Sequence, residues 1–83
     1  MKGEKAMKTL TRKQLLERYD HVGSFSEGLA RARKDGQEFH IRPDGNPAYE
    51  QRYDYVDTFS EGLARVRKDG QGFHIRPDGT RAD

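Results

Sequence analysis

Two short stretches of this chain alternate between apolar and polar residues. They cover residues 29–33 and 63–67 and read LARAR and LARVR. Alternation with a period of two residues is typical of a β-strand that buries one face. Each stretch is followed by an Asp-Gly dipeptide, Asp35-Gly36 or Asp69-Gly70. This dipeptide favours a two-residue hairpin turn, because a type I′ turn needs positive φ at both central positions. The pattern therefore predicts two β-hairpins.

The position of each turn predicts the register of its hairpin. In the first hairpin Ala32 should lie opposite Phe39, and Arg31 opposite His40. In the second hairpin Val66 should lie opposite Phe73. The residues predicted to face the core are Ala30, Ala32, Phe39, Ile41, Ala64, Val66, Phe73 and Ile75. A shift of one residue would mix the apolar and polar faces, so the register should be well specified.

A different pattern precedes the first hairpin. Thr11 is followed three residues later by Gln14, which is the spacing of a capping box at a helix start. We expect a short helix at 12–18. An isolated helix of this length is marginal in water, so Leu15 and Leu16 should pack against the first hairpin unit as a cap.

The segment FSEGLARARKDGQEFHI at Phe25–Ile41 recurs 34 positions later as FSEGLARVRKDGQGFHI. A fixed period of this size indicates a repeat architecture. Phe25 and Phe59, and the tyrosines, should serve core or inter-repeat packing. We divide the chain into a flexible tail at 1–8, a capping helix at 9–18, a first repeat at 19–52 and a second, truncated repeat at 53–83.

Turn signals punctuate each repeat. Gly28 and Gly62 should take positive φ in a tight bend before each hairpin. Pro43-Asp44-Gly45 favours a three-residue loop with a bulge, and a third short strand at 46–49 should follow it. The fold class expected from these elements is mainly β: tandem β-hairpin repeats with a short N-terminal α-helix.

Composition limits the possible functions. Hydrophobic residues make up 31% of the 83 residues, so the core is small. Sixteen basic and 14 acidic residues nearly cancel, which gives little support for a polyanionic partner. The chain has no cysteine, so it holds no disulfide or thiolate metal site. No apolar run approaches membrane-spanning length, and a cytoplasmic location is expected.

The spacing Tyr53-Asp54, then FSEGLA at 59–64, then Asp69-Gly70, resembles bacterial WG-repeat proteins. The resemblance extends from Tyr19 to about residue 83. The Trp-Gly dipeptide of that family is replaced by Glu38-Phe39 and Gly72-Phe73, so the chain looks like a divergent subtype. The resemblance implies a β-rich tandem-repeat module without a shared catalytic activity, and a role in interaction or scaffolding.

Two sets of residues could carry other chemistry. His40 and His74 occupy equivalent positions and could bind a metal if carboxylates such as Glu38 or Asp44 completed the site, but one histidine per hairpin is too few for a zinc site, which needs three or four ligands. We interpret both histidines as surface residues that pair with Arg31 or Arg65 across the strands. Glu27 and Glu61 could form a glycosidase-like pair, or each could accept backbone N–H bonds in its bend. We favour the structural role, and expect no catalytic residue, metal or cofactor.

The candidate interaction face consists of polar residues on the strands of both hairpins: Arg31, Arg33, His40, Arg65, Arg67 and His74. The expected function is that of a non-enzymatic module for protein–protein interaction or assembly, with a protein partner or self-association. The alternative is weak anion or nucleic-acid binding through the arginines. Two repeats offer little core, so a symmetric homodimer with the second repeats in contact is expected, and a compact monomer is the competing outcome.

Overall fold

The computed structural model describes residues 8–83. The predicted tail at 1–8 lies outside the described residues except for Lys8. Residues 8–83 form one short helix and two three-stranded antiparallel sheets, so the prediction of a mainly β fold is confirmed. The elements are α1 (Arg12–Arg18), β1 (His21–Ser26), β2 (Leu29–Lys34), β3 (Gln37–Ile41), β4 (Tyr55–Val56), β5 (Ala64–Lys68) and β6 (Gln71–Ile75).

Helix α1 begins at the predicted capping box. The Thr11 hydroxyl accepts a hydrogen bond from the Gln14 amide at 3.2 Å, and the Gln14 side chain accepts one from the Thr11 amide at 2.9 Å. The helix ends because Tyr19 is extended, with φ −128° and ψ 153°. Leu15 is buried in the core as predicted. The prediction that Leu16 is also docked is wrong, because its side chain is exposed.

Both predicted hairpin registers are confirmed. Ala32 lies opposite Phe39, and Val66 lies opposite Phe73. The turn residues Asp35 and Gly36 have φ values of 54° and 80°, as a type I′ turn requires. Burial follows the predicted sorting, since the alternating apolar residues of β2 and β5 face the core.

Each sheet has a further strand that the sequence pattern did not predict. Strand β1 pairs with β2 through a second two-residue turn at Glu27-Gly28, where both residues have positive φ. The register of this pair shifts between Val22 and Phe25. That irregularity breaks the period-two pattern, so β1 carries no clear strand signal in the sequence.

The predicted third strand at 46–49 is wrong. The loop before it forms as expected, with the Gly45 amide bonded to the Arg42 carbonyl at 2.9 Å. The segment after the loop makes only a single bridge, between Ile41 and Pro47. The two bonds of this bridge run from the Arg42 amide to the Asn46 carbonyl and from the Ala48 amide to the His40 carbonyl. The second repeat also has a single bridge here, between Ile75 and Arg81, so the short pairing is common to both repeats.

A single hydrophobic core runs through both repeats. The helix contributes Leu15, and the segment between the repeats contributes Tyr49 and Tyr53. The helix and this segment occupy equivalent positions on the two repeats. The helix lies against Gly45 of the first repeat, and the segment lies against Gly79 of the second. A Cβ at Gly45 would lie 2.8 Å from the Arg18 guanidinium of α1, and one at Gly79 would lie 2.6 Å from Tyr49. The helix therefore covers the first repeat much as the connecting segment covers the second.

The resulting molecule is elongated, with dimensions of 48 × 24 × 19 Å. Within residues 8–83, no helix has the length and apolar character needed to cross a membrane.

Candidate interaction surface

The polar face of the first hairpin is covered by the second repeat. Glu38 and Tyr53 exchange two backbone hydrogen bonds of 2.8 and 3.0 Å, and the Glu38 carboxylate accepts another from the Val56 amide at 3.0 Å. The Arg31 guanidinium lies 5.6 Å from the centre of the Tyr55 ring. The first half of the predicted interaction face is therefore largely an interface between repeats.

His40 is at the centre of this interface, so its interpretation as a surface residue is wrong. Its side chain is fully buried, and its ring centre lies 4.5 Å from that of Phe59. Nε2 is 2.7 Å from the Asp57 carbonyl oxygen, and Nδ1 is 2.6 Å from the Tyr49 hydroxyl. Because a carbonyl only accepts, Nε2 carries the proton, and Nδ1 accepts from the hydroxyl in a neutral imidazole.

The environment of this pair keeps both groups uncharged. Burial lowers the pKa of His40, although the hydrogen bond to the Asp57 carbonyl opposes this shift. Burial also raises the pKa of Tyr49 well above its ordinary value. The neutral pair joins residues of three segments, so its protonation state is linked to the contact between repeats.

We expect the free energy of unfolding to decrease as the pH falls below the ordinary histidine pKa of 6.5. The folded-state pKa of His40 is lower than the unfolded value, so the unfolded chain binds more protons. The stabilisation is complete above pH 6.5 and is lost as the pH falls through the folded-state pKa. Urea unfolding at a series of pH values measures it. In His40→Gln this part of the pH dependence should disappear. An unchanged slope would show that other groups cause it.

Among residues 8–83, nothing covers the corresponding face of the second repeat as the second repeat covers the first. We call this surface the open face and define it by Glu61, Leu63, Arg65, Arg67 and His74. His74 is partly exposed, and its Nδ1 lies 2.9 Å from the Asp83 carboxylate. This contact with His74 lowers the pKa of Asp83. Leu63 is 40% exposed, whereas its counterpart Leu29 is 8% exposed.

The open face differs in charge from the face of the first repeat. The Glu38 carboxylate lies 4.0 Å from Arg31 and 3.6 Å from Arg33. In the second repeat this position is Gly72. A Cβ at Gly72 would lie 2.5 Å from the Arg65 guanidinium, which shows that the arginine folds over the glycine. Within residues 8–83, no carboxylate is within ion-pair distance of Arg65 or Arg67.

A second set of bonds joins the outer turns of the two repeats. The Glu27 carboxylate accepts hydrogen bonds from the amides of Glu61 at 2.5 Å and Gly62 at 2.9 Å. The Ser26 hydroxyl donates to the Phe59 carbonyl at 2.9 Å. Glu27 thus has the structural role that we favoured, but it binds the bend of the next repeat instead of its own. Sequence reasoning missed this contact, although the 34-residue spacing of Glu27 and Glu61 was visible.

The metal alternative gains no support from the geometry. Nowhere in the described part of the chain, residues 8–83, do three His, Asp or Glu side chains converge in a way that could hold an ion. His40 contacts a tyrosine and a carbonyl, and His74 contacts one carboxylate.

The two similar sheets and the bonds between their equivalent residues define a tandem β-repeat protein. A family model described as "WG containing repeat" matches residues 11–37 and 41–71, which is more than half of the chain. The chain therefore belongs to the WG-repeat family. No match was found among curated proteins or among solved structures.

Proposed function

We propose that this protein is a non-enzymatic β-repeat module for protein interaction or assembly, and that it binds through the open face. The observation that carries this proposal is the role of the equivalent face in the first repeat. That face binds a protein segment, the second repeat, through backbone pairing at Glu38, ring contact at His40 and carboxylate–amide bonds at Glu27.

The open face retains most of these groups. Glu61 and His74 occupy the places of Glu27 and His40, and the exposed Leu63 adds an apolar contact. Strand β6 is the last strand of its sheet, and within residues 8–83 its Gly72 lacks the backbone partner that Tyr53 gives to Glu38. A partner that adds an extended segment to this edge fits the chemistry. The exposed arginines would favour acidic groups on that partner.

Cross-linking capture from a cell extract tests the proposal. The wild-type chain should capture a protein, and Leu63→Asp should abolish this capture by placing a charge at the centre of the open face. Leu16→Asp is the matched control, because Leu16 is similarly exposed but lies on α1, outside the open face. Equal capture by the wild type and Leu63→Asp would refute the role of the open face.

A second candidate function is weak binding of anions or nucleic acid. The observation that favours it is the absence of a carboxylate near Arg65 and Arg67 in residues 8–83. Binding to phosphates would decrease steeply with salt, whereas contact through Leu63 and a strand edge would not. Nuclease treatment of the captured material separates the two functions, because a direct protein contact survives it.

A cytoplasmic location and the absence of enzymatic activity stay predictions.

A further inference from the structure

We propose that copies of this chain associate head to tail. The open face of one copy would bind the outer turn of the first repeat of the next copy, as the first repeat binds the second within one chain. This inference builds on the proposed function, because it names a second copy of the chain as a partner of the open face. It rests on three sets of contacts between the repeats, made by Ser26, Glu27 and His40, whose counterparts at the two ends of the molecule are unused.

The first copy supplies its open face to the contact. Within the chain, Glu27 accepts from two turn amides, and Ser26 donates to the Phe59 carbonyl. The equivalent residues of the second repeat are Ser60 and Glu61, and both are exposed. A shallow groove beside them is lined by Leu63, Arg65 and His74, among others. His74 is the counterpart of His40, on which Phe59 packs, so the groove lies where an aromatic ring of another copy could bind.

The second copy supplies the outer turn of its first repeat and the ring of Phe25 beside it. Phe25 is 40% exposed, whereas its counterpart Phe59 is 1% exposed because the first repeat covers it. The turn at Glu27-Gly28 has φ values of 55° and 83°, and the turn at Glu61-Gly62 has values of 54° and 82°. The two turns therefore present their central amides in the same way. The space around Gly28 is open, since a Cβ there would have no neighbour within 4 Å.

Helix α1 occupies only part of this surface of the first repeat. The Arg12 guanidinium donates to the carbonyls of Val22 and Gly23. Gly23 is the counterpart of Asp57, whose carbonyl accepts from His40. Arg12 thus donates to the Gly23 carbonyl, where a histidine of a preceding repeat would otherwise donate. His74 of another copy would therefore lack this hydrogen bond and would contact only the Phe25 ring. The contact between copies should therefore be weaker than the contact within the chain.

A symmetric contact between the second repeats of two copies would pair the charged groups of the open face less favourably than a head-to-tail contact. It would bring the arginines of two open faces together, and neither Glu61 would meet the turn amides that suit its carboxylate. Head-to-tail contact instead pairs an acceptor carboxylate with donor amides at each junction. Such a heterologous contact does not close after two copies unless its rotation forms a ring. The expected assembly is an open series whose mean mass increases with concentration.

Mixing two blocked variants tests the proposal. Glu61→Lys removes the carboxylate with which the open face would accept hydrogen bonds, and Phe25→Asp removes the exposed ring beside the outer turn of the first repeat. Both side chains are exposed, so both variants should fold, and circular dichroism checks this. Each variant alone should be monomeric in sedimentation equilibrium at concentrations where the wild type associates. The mixture should form a one-to-one dimer, because one intact open face and one intact outer turn remain. If Glu61→Lys does not fold, Leu63→Asp replaces it.

Three results would overturn head-to-tail association. The wild type could stay monomeric over a hundredfold concentration range, a single variant could associate as strongly as the wild type, or the mixture of variants could remain monomeric. The cross-linking capture described above is independent of these results. A monomeric chain that still captures another protein through Leu63 would refute the head-to-tail contact and leave the proposed function intact.

Discussion

Phe59→Ala is expected to lower the free energy of unfolding by about 3–5 kcal/mol, the usual cost of truncating a buried aromatic ring. The same substitution at Phe25 should cost only about 1 kcal/mol or less, because that ring is 40% exposed. The two residues occupy equivalent positions in nearly identical segments. Their difference therefore measures what the covering repeat contributes. Urea unfolding of both variants, below the concentration at which copies associate, gives the two values.

Phe59→Leu is a useful control for this comparison. It keeps an apolar side chain against His40 and should recover part of the loss, because less of the cavity is left empty. Equal losses for Phe59→Ala and Phe25→Ala would contradict the observed packing of the second repeat against the first.

Leu15→Ala is expected to destabilise the protein by about 2–5 kcal/mol, since Leu15 is the side chain by which α1 joins the core. Leu16→Ala should change stability by no more than about 0.5 kcal/mol. Leu16 is exposed, and alanine is an even better helix former than leucine. Thermal or urea unfolding of the two single variants measures the difference.

The paired leucines also control for helix propensity, because each variant makes the same chemical change within one helix. A small loss in Leu15→Ala would mean that α1 contributes little to the core. A large loss in Leu16→Ala would mean that this side chain has a partner in solution, and size measurements on the variant would identify self-association as the cause.

The hairpins were predictable because their signals are local. An Asp-Gly dipeptide and a few alternating residues determine both the turn and the register, as Asp35-Gly36 shows. The capping box at Thr11 is equally local. The same features exist in the second repeat, so one correct register implied the other. Strand β1 was missed for the opposite reason, since its pairing is irregular between Val22 and Phe25.

The burial of His40 could not be predicted from the same pattern. Alternation says which side of a strand a residue faces, but it does not say what covers that side. A polar side is normally exposed, yet here the second repeat covers it. His40 can be buried because Tyr49 and the Asp57 carbonyl bond both of its ring nitrogens. The sequence held one clue. The position of Tyr49 in the first repeat is taken by Asp83 in the second, so the two histidines have different neighbours.

The bonds that join the repeats bear on how such a chain can change length. Ser26, Glu27 and His40 make these bonds, and each has an identical counterpart 34 residues later. A tandem duplication of one 34-residue unit would therefore introduce a segment already matched to the units before and after it. Helix α1 would keep its place at the first unit. Evolution can thus lengthen this protein in whole units by a single genetic event, without first inventing a new interface.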